Sequence, residues 1–505
     1  MTEGKAKASF LTFLMKIAYS VLTTITSLIL TNLIIKEYGP IVNGLSSSIN
    51  QFVNLFSVFE GGITTAAIVA TYNPVMHRDY ATVNGILTYT RRFLIKVSIL
   101  FLVVTSVVGC IYICIIDSPY TFNITFIVLM LSVIISCISM SVLPQYYILL
   151  QGNNKEYVIS VVNCLVKVIS FVLSVVFIYN HQHIIFVFVA NLVGAILNIV
   201  IFEIYQRRKY PYVDYKKGDV YVVSGTKDVL LQKILNIIFN FTDIFLISVF
   251  ISLVMASVYN LNNQIYNSIY ILVSAAITAP YNSIGILMRE SREKFKKIFG
   301  EFRLLSYIII SVFYTATGSL LESFMQVYIS DAVGVRYYIP ILNLLLFSFF
   351  FFRSVSQVYA IAINASGKFK LQNKQLIIAM ITNIVVSAIT MLKFGIIGVI
   401  LGSVCAMLIM LFMNIIKACK QILEMPVRKE LWLMLIYFFV SCIMIKLSGE
   451  ISYMVNVVNY WQWGVMAICV VLVMLVVFVL LSTLLQYSEM KMLLQYIKTK
   501  WFRNK

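Results

Sequence analysis

Fourteen apolar segments follow one another along the chain, and most of them are at least 20 residues long. An α-helix needs about 20 apolar residues to cross the hydrocarbon core of a bilayer. A helix also satisfies its own backbone hydrogen bonds in lipid, which a single strand or a loop does not. The pattern predicts an all-α polytopic membrane protein with about 14 transmembrane helices. The expected spans are 10–35, 41–71, 93–116, 122–150, 157–179, 184–205, 228–252, 256–288, 304–328, 338–364, 375–393, 396–417, 431–447 and 463–485.

The basic residues indicate the orientation of these spans. The chain is 61% hydrophobic and only 12% charged, yet it carries a net charge of +19. In so apolar a chain we attribute this charge to the enrichment of Lys and Arg in cytoplasmic loops, and not to nucleic-acid binding. With the N-terminus inside, 30 basic residues lie in the expected cytoplasmic segments and 4 in the outer ones. This ratio predicts that both termini are cytoplasmic.

A weak internal repeat appears at an offset of 217 residues. Its polar matches are Lys16 with Lys233, Asn43 with Asn260, Asn50 with Asn267, and Ser57 with Ser274. Six spans separate the two copies, and an even number leaves them in the same orientation, as in a parallel repeat. We therefore expect an N-terminal lobe at 1–225 and a C-terminal lobe at 226–425, related by a pseudo-two-fold axis. Two additional spans and a cytoplasmic tail follow at 426–505.

Polar side chains recur every three or four residues in several spans, which places them on one face of each helix. In span 5 this face carries Asn163, Lys167 and Ser170, and in span 10 it carries Arg353 and Gln357. Serine and asparagine alone often only hydrogen-bond one helix to another. A charge deep in the bilayer is costly and normally faces a cavity or a partner. The stripes therefore predict a water-filled cavity with a cationic lining.

Several kinds of chemistry have no support in the sequence. It contains no Gly-x-x-x-x-Gly-Lys-Ser/Thr loop for nucleotide phosphates. The eight cysteines share no metal-ligand spacing with the three histidines, so no metal or other cofactor is expected. The longest outer loop, at about 446–461, is too short for a folded catalytic domain. We therefore favour a carrier over an enzyme.

Two groups of residues carry a resemblance to a known family. They are Asn43-Gly-Leu-Ser-Ser-Ser-Ile-Asn-Gln-Phe running into Glu60-Gly-Gly-Ile, and Ala365-Ser-Gly-Lys-Phe-Lys-Leu-Gln followed by Gly395-Ile-Ile-Gly-Val-Ile-Leu-Gly. The chain resembles, over nearly its whole length, the polysaccharide flippases of the multidrug/oligosaccharidyl-lipid/polysaccharide exporter (MOP) superfamily.

This resemblance implies a transporter in the bacterial cytoplasmic (inner) membrane. Its cargo would be an undecaprenyl-diphosphate-linked oligosaccharide, moved from the inner to the outer leaflet by alternating access for surface polysaccharide export. A proton or sodium gradient and a polysaccharide polymerase complex are the partners implied besides the membrane lipids. Three alternatives stay open: a lipid II flippase, a multidrug/cation antiporter of the same superfamily, and a polysaccharide polymerase. An uncoupled lipid scramblase is a further one.

Four cations are candidates for contact with the cargo diphosphate. Lys167 and Arg353 lie near the middle of spans 5 and 10, too far from either end for the charge to reach water easily. Lys16 and Lys233 lie about two turns into spans 1 and 7, where a side chain that reaches back to the headgroups is the alternative.

Neutral residues on the same faces are expected to bind the sugars. These substrate-binding candidates are Asn50, Asn267 and Gln357. For coupling, the candidates are Glu60 and Asp243, the carboxylates deepest inside spans, because a desolvated carboxylate can exchange a proton near neutral pH. The alternative is that these two acids only pair with the buried cations.

Overall fold

The structure is a computed structural model that describes residues 3–56, 62–215, 227–280, 292–329, 334–366, 369–454, 457–493 and 495. Regular structure in these residues is helical, which confirms the all-α fold of a polytopic membrane chain. The chain divides into two compact units, Met1–Asn260 and Leu261–Lys505. The predicted lobe boundaries at 225 and 425 are a finer division than this one and stay predictions.

The first unit contains eight helices and the start of a ninth. They are α1 (Glu3–Phe56), α2 (Ile63–Met76), α3 (Tyr80–Ile115), α4 (Phe122–Ser141), α5 (Leu143–Gly152), α6 (Glu156–Tyr179), α7 (Ile185–Lys209), α8 (Lys227–Phe250) and α9 (Leu253–Thr278). The second unit contains the rest of α9 and six more helices. They are α10 (Arg292–Tyr328), α11 (Pro340–Ala365), α12 (Phe369–Phe394), α13 (Ile396–Ala418), α14 (Val427–Met454) and α15 (Tyr460–Leu485).

Eleven helical stretches in the described part of the chain are long and apolar enough to cross a membrane. The first of them, Leu11–Phe56, has 46 residues and is about 69 Å long at 1.5 Å per residue, about twice what one crossing needs. It therefore accounts for predicted span 1 and the first part of span 2, whose last residues lie in α2. The short apolar helix Ile234–Phe250 corresponds to span 7, and α9, which carries more polar residues, corresponds to span 8. The eleven stretches thus correspond to twelve of the predicted segments, and α8 and α9 correspond to the other two.

The ends of several helices differ from the predicted spans. Helix α1 continues through the predicted break at 36–40, with a kink at Gly39, whose φ of 86° suits a residue without a side chain, next to Pro40. Helix α3 begins at Tyr80, well before the predicted start at 93, because Asp79 caps it. The Asp79 carboxylate accepts hydrogen bonds from the Thr82 amide (3.1 Å) and hydroxyl (2.6 Å), and these bonds lower the pKa of Asp79.

Glycines at two helix contacts explain part of the sequence motifs. A Cβ on Gly44 would lie 1.8 Å from the carbonyl oxygen of Leu253, so α1 and the start of α9 approach each other only because this residue is glycine. Beside this contact the Asn43 amide donates to the Ser257 hydroxyl at 2.7 Å. In the second unit, Gly398 and Gly402 lie in the same way against the backbone of α12.

Candidate functional site

A cavity of about 290 Å³ lies inside the first unit, among helices α1, α4, α6 and α7. Among the described residues, its lining is mostly amides and hydroxyls with one cation and without a carboxylate. The lining residues are Tyr19, Asn50, Ser132, Ile135, Ser136, Asn163, Val166, Lys167, Ser170, Phe188, Asn191, Gly194, Ala195 and Asn198. The predicted residues Asn50 and Lys167 are thus brought together, with the residues Asn163 and Ser170 of the span 5 stripe.

Lys167 supplies the positive charge of this cavity. It lies on α6 one turn from Asn163 and is half-buried. Within the part of the chain that the structure describes, its ammonium forms no ion pair or hydrogen bond. A cation that is partly removed from water and has no counter-ion among the described residues is poised to bind an anion.

The polar lining is held in place by hydrogen bonds between helices. The Asn198 amide donates to the side-chain oxygen of Asn163 at 3.1 Å, which joins α7 to α6. The side-chain oxygen of Asn198 is buried and has no hydrogen-bond partner among the described residues, so it remains an acceptor. A Cβ on Gly194 would lie 1.9 Å from the Ser170 hydroxyl, so this glycine lets α6 and α7 approach closely beside the cavity.

The second unit has its own cationic face, between α9 and α11. The Arg353 guanidinium stacks on the Tyr270 ring at 4.2 Å and lies 5.9 Å from the Phe349 ring. One turn further along α11, the Gln357 amide donates to the Ser274 hydroxyl at 2.8 Å. Gln357 Oε1 is buried and has no partner in the described residues. This face therefore combines a cation, aromatic rings and an amide acceptor.

The other predicted residues have different surroundings. Lys16 is 54% exposed and pairs with Glu156 at 2.8 Å, so the structure places it outside the cavity, one turn before the lining residue Tyr19. Asn267 is exposed on α9, one turn before Tyr270. The side chain of Lys233 and the whole of Glu60 lie outside the described residues.

Asp243 is buried in α8 and accepts a hydrogen bond from the Tyr259 hydroxyl at 2.9 Å. Tyr259 lies at the start of α9, so this bond joins two consecutive helices. The sequence does not indicate this tyrosine as its partner. The coupling role of Asp243 stays a prediction.

Sequence reasoning misses a buried charge in the second unit. Arg303 on α10 was expected in a cytoplasmic loop, but it is fully buried and pairs with Glu430 on α14. Its other partners are Gln486 at 2.9 Å and Glu489 at 3.2 Å, both after α15. Since these partners lie more than 120 residues away in sequence, no local pattern indicates them.

Comparisons with known proteins bear on the fold. No protein-family model matches the chain, and no curated protein matches it. Among solved structures, it is similar to an inward-facing multidrug resistance MATE family transporter of the MOP superfamily, at a TM-score of 0.64 and 12% identity. The match covers 83% of this chain and 99% of that one. The chain has the MATE transporter fold.

Two further MATE structures are also similar to this chain. A MATE transporter in complex with MaL6 matches at a TM-score of 0.53 and 12% identity, over 83% of this chain and 99% of that one. The Vibrio cholerae MATE transporter VcmN in its bent form matches at 0.52 and 14% identity, over 88% of this chain and 99% of that one. All three of these neighbours are MATE transporters.

Proposed function

We propose that this chain flips an undecaprenyl-diphosphate-linked oligosaccharide from the inner to the outer leaflet of a bacterial cytoplasmic membrane, by alternating access. The observation that carries the proposal is the position of Lys167. Of the described residues that line the cavity, Lys167 alone is charged, and the others are amides, hydroxyls and apolar groups. The MATE fold supports transport as the activity.

The charge of the cavity favours an anionic cargo. A cation would meet the Lys167 ammonium, and the described lining residues offer no carboxylate to compensate. Like charges at close range in a partly desolvated site repel strongly. A lipid diphosphate instead gains charge-assisted hydrogen bonds from the ammonium. This argues against a multidrug or cation antiporter.

The neutral lining suits a sugar. Four asparagines and three serines surround Lys167, and together they offer both donors and acceptors to hydroxyl groups. A volume of about 290 Å³ is near the lower end of small-molecule sites. We infer that the cavity takes the diphosphate with the adjoining sugar, while the rest of the oligosaccharide and the prenyl tail stay outside it.

The second unit offers a separate anion contact at Arg353. An arginine fork can bind two phosphate oxygens at once, and stacking on the Tyr270 ring fixes the plane of that fork. We assign Lys167 and Arg353 to the bound diphosphate, and Asn50, Asn267 and Gln357 to the sugars. Lys16 and Lys233 are assigned to the diphosphate headgroup as it enters from the cytoplasmic leaflet. A proton or sodium gradient coupled through Glu60 or Asp243 is the proposed driving force.

A genetic experiment tests this function. In a strain that lacks the chain, the unpolymerised lipid-linked repeat should accumulate in the cytoplasmic leaflet, where an outside probe does not reach it. A polymerase would instead leave the repeat in the outer leaflet. Restoration by the chain of lipid II transport alone, without export of the oligosaccharide, would identify a lipid II flippase and overturn the proposal.

A further inference from the structure

The fully buried ion pair of the second unit joins the C-terminal helices to the rest of that unit. Arg303 lies on α10 and is 0% exposed, and Glu430 lies at the start of α14 and is 1% exposed. The same guanidinium donates to Gln486 and Glu489, which follow α15. One side chain of α10 therefore contacts both ends of the segment that holds α14 and α15.

This segment is about as large as the part of the chain that the match to a MATE structure leaves out. The match to the inward-facing MATE transporter uses 99% of that chain but leaves about 17% of this one. The C-terminal segment 426–505 is similar in size, with 80 of the 505 residues. A buried ion pair is weak evidence for stability, since apolar residues of similar volume often stabilise as well. What such an ion pair does is fix the relative positions of the side chains that it joins.

The pair also contacts the helix that carries Arg353. The Tyr359 hydroxyl on α11 donates to the second oxygen of Glu430 at 2.7 Å and lies 3.2 Å from the Tyr307 hydroxyl on α10. Consecutive residues of a helix are about 100° apart, so Gln357 and Tyr359 point to nearly opposite sides of α11. One side of α11 is bonded to Glu430, and the other presents Gln357 to Ser274 and, one turn earlier, Arg353 to Tyr270.

We propose that Arg303, Glu430 and Tyr359 are positioning residues for Arg353. The C-terminal helices, held by Arg303, fix the rotation of α11 through the Glu430–Tyr359 bond and so keep the guanidinium over the Tyr270 ring. The inference rests on the proposed function only in that Arg353 binds the diphosphate. It gives the C-terminal helices a part in cargo binding.

The test compares two tyrosines in the full-length protein. Tyr359→Phe removes the bond to Glu430 and keeps the ring. The matched control is Tyr437→Phe on α14, whose buried hydroxyl bonds to Ser482 at 2.6 Å and Gln486 at 3.1 Å and forms no hydrogen bond to α11. The probe is undecaprenyl diphosphate in nanodiscs, with the melting temperature measured alongside its affinity.

We expect both variants to lower the melting temperature by a similar amount. Only Tyr359→Phe should weaken binding of the probe, by about fivefold, which is the effect of one typical hydrogen bond. In a double-mutant cycle with Arg353→Lys the two losses should be less than additive, because Tyr359 acts through Arg353. Equal effects of the two tyrosine variants, or fully additive losses, would overturn the positioning role.

A second measurement separates this inference from the proposed function. Hydrogen exchange over α11 should rise in Tyr359→Phe and in Glu430→Gln but not in Tyr437→Phe. If the wild-type chain does not bind the probe, the proposed function fails, and exchange alone decides whether Tyr359 holds α11. A different outcome would overturn the positioning role alone. In that case the wild type binds the probe and Arg353→Lys weakens this binding, but Tyr359→Phe changes neither the binding nor the hydrogen exchange.

Discussion

The guanidinium of Arg353 on α11 lies 4.2 Å from the centre of the Tyr270 ring on α9. No carboxylate in the described residues forms an ion pair with it. The expected alternative, in which Arg353 only neutralises a buried acid, therefore finds no support in the described part of its own unit. An aromatic face stabilises a cation without cancelling its charge, so the guanidinium remains able to bind an anion.

The first prediction separates the charge of Arg353 from its shape. Arg353→Lys keeps the charge but removes the planar fork and its stacking on Tyr270, which is worth about 0.5–2 kcal/mol. We expect normal membrane insertion and a loss of transport of about tenfold, measured as export of the oligosaccharide. Near-normal transport by Arg353→Lys, together with poor folding of Arg353→Ala, would instead indicate charge neutralisation.

The second prediction concerns Lys167. Lys167→Met removes the ammonium but keeps most of the volume, so binding of undecaprenyl diphosphate should fall by about tenfold or more, since a charged hydrogen bond is worth about 1.5–3 kcal/mol. Lys167→Arg should retain part of the affinity. The matched control is Lys96→Met, an exposed helical lysine on α3 that does not line the cavity. An equal loss in the two methionine variants would count against a specific site.

The third prediction concerns coupling. Asp243 is buried and bonded to Tyr259, so Asp243→Asn preserves the shape and removes the exchangeable proton. If this carboxylate couples transport to protons, the variant should lose the pH dependence of transport that the wild type shows. Glu60→Gln tests the other candidate in the same way. Two variants with the wild-type pH profile would exclude both acids as the proton-coupling groups, and sodium would be tested next.

The fourth prediction concerns packing. Gly44→Ala places a methyl 1.8 Å from the Leu253 carbonyl oxygen, a backbone atom that has little room to move. Such overpacking typically costs about 1–3 kcal/mol, so the melting temperature in detergent should fall clearly. Gly449→Ala is the matched control, because no atom lies within 4 Å of its added Cβ and alanine favours a helix. A similar melting temperature for both variants would show that α1 and α9 separate easily.

The sequence predicted the helices better than it predicted their contacts. Apolar length alone indicates the transmembrane character, and a spacing of three or four residues places Asn163, Lys167 and Ser170 on one face of α6. The same reasoning missed the pairing of Lys16 with Glu156, which lie 140 residues apart. Hydropathy describes what faces lipid, but it contains no information on which two helices become neighbours.

Two details show where local signals mislead. The pair Gly39-Pro40 is a typical helix breaker and lies in the predicted break between spans 1 and 2, whereas the structure keeps helix on both sides of a kink. Arg303 belongs to a run of basic residues, and its charge alone predicted a place in water. Burial became favourable only because Glu430, Gln486 and Glu489 surround it, and their approach depends on the tertiary fold.

The contacts of Arg303 with Glu430, Gln486 and Glu489 limit how this chain can be shortened. A version that ends before Val427 would have about the length of the MATE transporters, but it would lack three partners of a fully buried guanidinium. An uncompensated charge of this kind is strongly destabilising, by about 3–5 kcal/mol. A workable derivative of this length would therefore need a neutral residue at 303 as well. Arg303 and the last two helices therefore have to be kept together or removed together.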